Sequence, residues 1–282
     1  MKPFDKYKNQ NLEFWAFIKY ISEKLGYSER GNDSVKFYSL DDIKKSCNDN
    51  SIFYDETLVQ NAFEYIKDRA ELLNSIKDLL MKAEEAEKEF EKLRKVYDAN
   101  SFCCLLPMNK QTGDKRKPAF LTCIVNILTE QTLRELLGKT ESLNFDCDPR
   151  NLLYVKDSKN RLIGASSRRF DGAYPGTISP KIVWEIKEYY YATTFGSRIA
   201  DGVYETQLDG FEFKQVFDEK GVKVHHILFI DSYQTWWEKG KSYLCRLVDA
   251  LNIGLVDEVI IGKEVLKRWP ELLSDIIKDN PN

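Results

Sequence analysis

Only two histidines occur in this 282-residue chain. A metal site here is therefore more easily built from hard oxygen ligands, which need no imidazole. Long apolar runs are missing too. None approaches the roughly 18 uninterrupted apolar residues of a membrane span, so no membrane partner is expected. Behind the opening Met1-Lys2-Pro3-Phe4-Asp5 there is no apolar stretch of a signal peptide, and a cytoplasmic location is the expectation. The six cysteines, at positions 47, 103, 104, 123, 147 and 245, show neither zinc-ligand spacing nor a disulfide framework. Reduced, mostly buried thiols are expected from them. There is no internal repeat.

What is present belongs to a folded protein: 43% apolar and 13% aromatic residues, in a chain long enough for a real core. The net charge of −3 conceals a distribution. Residues 1–100 carry −3, residues 101–200 carry +5, and residues 201–282 carry −5. Because salt confines charge effects to roughly 10 Å, the local excess matters more than the average. The positive middle third favours a polyanionic partner.

Residues 1–100 read as a helical region, assigned to recognition or dimerisation. An amphipathic helix spans residues 10–25 and stops near Gly26. Ser39 caps a second helix, with Asp41 and Asp42 in its first turn. From Asp55 to about Tyr97 the pattern is helical with no Gly or Pro. It forms either one helix on the order of 60 Å long or two antiparallel ones. Its near-heptad apolar spacing, interrupted by Arg69 and Glu87, offers a coiled-coil contact as the sharper alternative.

Residues 101–282 form the second unit. A loop over residues 109–118 carries Lys110, Lys115, Arg116 and Lys117, which are candidate phosphate contacts. An apolar helix follows from Phe120 to about Leu137, with Glu130 as one of its few charges. Strands are expected over 151–155 and 161–166, joined by a turn at 157–160, with a turn-rich loop over 172–180. A third strand covers 181–191, a helix 197–207, and a fourth strand 222–231. A helix over 241–251, a fifth strand over 258–261 and a helix over 263–277 close the chain. The expected fold is α/β, a mixed five-stranded central sheet flanked by helices, with the helical region ahead of it.

The chemistry concentrates in Arg168-Arg169-Phe170-Asp171-Gly172 and Ile182-Val183-Trp184-Glu185-Ile186-Lys187. Period-2 geometry puts Glu185 and Lys187 on one face of a buried strand. Two other acid-x-Lys triplets exist, Glu212-Phe213-Lys214 and Asp157-Ser158-Lys159, but neither lies in a buried strand. The ordinary reading of Glu185 and Lys187 is a partly buried salt bridge. The sharper one is catalytic. Asp171, Glu185 and the Ile186 carbonyl suit Mg²⁺, which keeps waters and accepts a phosphate oxygen. Lys187 is then placed to orient an attacking water or stabilise developing charge.

These residues, in the order helix–strand–strand–strand–helix–strand, resemble the PD-(D/E)xK nuclease superfamily, and within it the type II restriction endonucleases. The resemblance covers about residues 118–235. One departure is Phe170, where the motif has Pro before the acid. The resemblance implies a restriction-endonuclease-like core and Mg²⁺-dependent cleavage of DNA, with Mn²⁺ as a substitute. It makes Asp171 and Glu185 metal ligands and Lys187 the catalytic lysine, and adds Glu130 from the preceding helix as a further ligand. Double-stranded DNA is the implied substrate, and cutting both strands with one site per chain implies a homodimer. Arg168, Arg169, Thr193, Thr194, Ser197 and Arg198 neighbour the site and are candidate DNA contacts. The alternatives are another defence or repair nuclease on the same core, and a non-catalytic nucleic-acid-binding protein.

Overall fold

A computed structural model describes residues 1–29, 31–110, 117–138, 144–191 and 197–279. Its first three α-helices begin where short polar side chains satisfy free N–H groups of the first turn. Asn11 accepts from the Phe14 N–H at the start of α1 (Leu12–Leu25). Ser39 and Asp42 form a reciprocal capping box on α2 (Leu40–Asp49), and Asp55 accepts from Leu58 at the start of α3 (Glu56–Ile76). The long helical pattern does break in two. α3 ends in a 3-10 turn, and α4 (Ala83–Ala99) begins after Leu80, Met81 and Lys82. No Gly or Pro causes that break. Instead the buried Met81 docks beside the sheet, its N–H donating to the Asp231 carbonyl and its own carbonyl accepting from Tyr233.

The mixed α/β class holds, but among the described residues the central sheet has four strands, not five. A hairpin of β1 (Tyr154–Lys156) and β2 (Leu162–Ala165) forms a separate antiparallel pair. The central sheet runs β3 (Gly172–Tyr174), β4 (Ile182–Lys187), β5 (His225–Ile230) and β6 (Glu258–Ile261), in that order. β3 pairs antiparallel with β4, and β5 and β6 continue in parallel. The expectation failed in two places. The strands expected over 151–155 and 161–166 do not join the central sheet: β1 and β2 ladder with each other, and β1 meets the segment before β4 through a bridge between Tyr154 and Ile178. β3 was assigned to a loop because its three residues lie among turn-forming ones. Gly172 is required there: a Cβ on it would lie 1.9 Å from the Trp184 ring, so only glycine lets β3 close on β4.

β4 is buried on both faces, as parallel strands covered by helices are. Ile182, Trp184 and Ile186 face α5 (Phe120–Leu137), α4 and α8 (Val265–Asp279) in one core cluster. The opposite face carries Leu228, Ile230, Val259 and Ile261 against α3, α6 (Ser197–Lys220) and α7 (Lys241–Ile253). Val183 points to that second side, into a smaller cluster with the hairpin and the α6 residues Phe213 and Val216. Glu185 and Lys187 share its parity, so the period-2 rule sends both toward α6. Among the described residues no helix is long and apolar enough to cross a membrane.

Candidate functional site

Asp171 sits at the entrance to β3, where its N–H donates to the Trp184 carbonyl. Its Oδ2 accepts the Ile186 N–H at 2.7 Å, which ties the carboxylate to the last turn of the β4 pleat. One strand residue on, Glu185 and Lys187 lie on the α6 side, both more than nine-tenths buried. The Lys187 ammonium donates to Glu185 Oε1 at 2.8 Å and to Glu205 Oε2, on α6, at 2.9 Å. Arg168 closes the cluster, with Nη2 at 2.6 Å from Glu185 Oε1 and Nη1 at 3.0 Å from Asp209 Oδ2. Four carboxylates and two cations therefore meet between β4 and α6. Gly202 makes room on the helix: its Cα carries no side chain where the Lys187 stem passes.

Charge is distributed unevenly over Glu185. Oε1 receives both cations, while Oε2 is buried with no hydrogen-bond partner among the described residues. An unsatisfied buried carboxylate oxygen is expensive and marks a place for a positive or donating group. Burial, and then the charge of Glu185, pushes the Asp171 carboxyl up to about 7. Burial also pushes Glu185 upward, but Lys187 and Arg168 more than offset it, leaving it below the ordinary carboxylate range. For Lys187 burial acts downward, and the Glu185 charge outweighs it, so the ammonium is held protonated. Burial raises Asp209 to about 7 despite Arg168.

Two cavities open on Asp171. One of about 700 Å³ is lined by Lys110, Arg150, Asn151, Ser167 and Arg169 among others. The second, about 450 Å³, lies toward Leu105, Met108, Thr122 and Glu188. Glu188 follows Lys187 with its side chain on the other face, where Oε2 accepts from the Thr122 N–H and hydroxyl at the start of α5. Burial raises that carboxyl to about 7.

The tertiary structure corrects several site expectations. Glu130 does not join the cluster. Its carboxylate accepts the N–H groups of Cys103 and Cys104 and the Arg134 guanidinium, and it is fully buried. It also lies eight residues beyond Thr122 on α5, about 12 Å along the axis. Arg168 is engaged with three carboxylates while it also lines the larger cavity. Lys117 pairs with Glu87 on α4 at 3.1 Å and does not line either cavity. Lys110 and Arg169 do line the groove beside Asp171, and Arg198 is exposed at the start of α6. Lys115, Arg116, Thr193 and Thr194 fall outside the described residues, as does the Ser197 side chain. Sequence reading missed Glu205 and Asp209 as members of the site. Their (i, i+4) spacing on α6 was the available signal, since it places both on one helix face.

Residues 81–276 match the family model described as "Domain of unknown function (DUF7687)". The chain belongs to that family. The DUF7687 stretch contains every residue of the cluster around Glu185, both cavities' described walls and all four strands of the central sheet. Residues 1–76 match a second model, "Domain of unknown function (DUF7690)". The two matches meet near Met81, ahead of the boundary at residue 100 drawn from sequence. α4 thus falls with the sheet, in keeping with its packing on α5. No curated protein matches the chain, and no solved structure does.

Proposed function

We propose that this chain is a Mg²⁺-dependent DNA endonuclease of the PD-(D/E)xK type, hydrolysing phosphodiester bonds at Asp171, Glu185 and Lys187. The observation that carries the reading is the state of Glu185. One oxygen takes both cations, the other is buried and unpartnered among the described residues, and the Glu185 charge helps raise the neighbouring Asp171 carboxyl. A hard divalent cation fits that combination, because it would relieve the repulsion and satisfy the free oxygen together. Among the described residues no group of three or more His, Cys, Asp or Glu is arranged to hold a metal. The set proposed is accordingly sparse: Asp171, Glu185 and the Ile186 carbonyl. Bound there, Mg²⁺ supplies Lewis-acid neutralisation of the charge that develops on the phosphate.

The chain's own residues have separable tasks. Lys187, held between Glu185 and Glu205, keeps its proton and presents a fixed positive charge to the attacking water and the phosphate. Arg168 compensates Glu185 and Asp209 and so lets this much acid gather in one place. Lys110, Arg150 and Arg169 line the approach to Asp171 and supply the attraction for a phosphate backbone. The finer form of this reading is a site-specific type II restriction enzyme, acting on double-stranded DNA as a homodimer. Another defence or repair nuclease on the same core is the alternative.

Digestion of a DNA of known sequence, with Mg²⁺ and with EDTA, tests the proposal when the ends are mapped. Discrete fragments would support restriction, and a smear or a single-strand preference the alternative. Glu185→Gln and Lys187→Met preserve shape, and each should lower cleavage by about 10²-fold or more while the chain still folds. Full activity in either would sink the assignment. Absence of Mg²⁺ and Mn²⁺ binding at Asp171 and Glu185 would favour a non-catalytic nucleic-acid-binding protein.

A further inference from the structure

The two cavities beside Asp171 share Lys110, Asp148, Arg150 and Asp171, and so adjoin at the proposed reacting centre. Their walls differ in kind. The larger is polar and cationic, as a path for a phosphate backbone should be. The smaller has an apolar wall of Leu105, Leu106, Pro107, Met108 and Ala119, with Thr122 and Glu188 at its polar end. Leu105 is 52% exposed and Met108 47%, so apolar surface faces this concavity instead of the core.

A phosphate needs no apolar wall. In a continuous duplex the base faces are stacked inside and only base edges are presented, in the grooves. A concavity of about 450 Å³ with one apolar side and a few polar groups is the size and character of a small-ligand pocket. Next to a phosphodiester, the group with an apolar face and a polar edge is a nucleobase taken out of its stack.

Resting on the nuclease reading, and on its alternative form instead of the double-strand restriction form, we propose that this cavity takes the base of the nucleotide adjoining the scissile phosphate. The favoured substrate is then DNA in which that base is unpaired, a single strand or a single-stranded segment. Pairing would have to be broken before a fully paired duplex could present the same geometry, and the cost lowers its rate.

The test compares cleavage in Mg²⁺ of one labelled sequence in three forms: single strand, continuous duplex, and duplex with a short single-stranded gap. The single strand and the gap should be cut at least about ten-fold faster than the continuous duplex. Two variants probe the cavity itself. Ala119→Phe fills it, and Leu105→Asp places a charge on its exposed wall without disturbing the core. Both should lower single-strand cleavage, with thermal melting confirming the fold. Equal or faster cutting of the continuous duplex overturns the inference and leaves the nuclease reading standing. A single-strand preference that neither variant reduces overturns the assignment of the cavity. No cleavage of any form overturns the nuclease reading, and this inference with it.

Discussion

Arg168 shows how much a side chain's role depends on what surrounds it. From its place before Asp171 it is a candidate phosphate contact, yet its guanidinium is spent on Glu185, Glu205 and Asp209. Arg168→Ala should therefore lower folding stability by about 3 kcal/mol, because it strands the buried Asp209 and half of Glu185's compensation. Urea denaturation measures the loss, and Asp209→Asn in the same chain should recover much of it. Asp209 also makes stability depend on pH. Burial raises its carboxyl to about 7, above the ordinary value near 4, so the folded chain holds a proton that the unfolded chain releases. That stabilisation is complete below about pH 4 and is lost as pH rises through about 7. Melting temperatures followed across this window should fall toward neutral pH, and less steeply in Asp209→Asn. A curve unchanged by the substitution would show that the proton sits elsewhere.

At the scale of elements, helix α5 carries the sharpest departure from expectation. The resemblance assigned Glu130 to the metal because it is an acid on the helix before the strands. The fold uses it as a clamp: two backbone N–H groups and Arg134 converge on its carboxylate and hold the segment after α4 against α5. Glu130→Ala should cost about 2 kcal/mol through the buried donors it abandons. Mg²⁺ affinity measured by calorimetry should not change. A tenfold loss of metal affinity would return Glu130 to the ligand set. The β4 segment was legible for the opposite reason. Apolar residues on both sides of Glu185 and Lys187, in a short β-branched run bounded by turn residues, fit a strand covered on both faces, and parity then places the two charges together. β3 was not legible, since three residues bounded by turns carry no period. Nor could the alternation of β1 and β2 say which strands they pair with.

For the whole molecule, the contact between the two family regions combines apolar packing with a buried ion pair. Arg69 on α3 is fully buried and donates to both oxygens of Asp249 on α7, while Tyr65 donates to the same carboxylate at 2.6 Å and Ser22 accepts from Arg69. Arg69 interrupts the near-heptad spacing because its charge is the polar centre of an interface within the chain. Arg69→Ala leaves Asp249 uncompensated and should cost about 3–5 kcal/mol. Chemical denaturation would show it, and residues 1–76 should become more susceptible to proteolysis than the sheet. Unchanged stability would mean that the apolar contacts of α3 with α7 suffice.

Sequence alone determined the α/β class, the strand bearing Glu185 and Lys187, and their common face, because these follow from local periodicity and from the burial of apolar residues. It also placed Asp171 at the site, by proximity in the chain. Tertiary structure decided which other charges share the cluster. Glu205 and Asp209 arrive from α6, Glu130 is withheld by α5, and Arg168 is engaged with three carboxylates. Those outcomes depend on how helices dock across the sheet, and no spacing within one segment encodes the partner that a charged side chain meets once water is excluded.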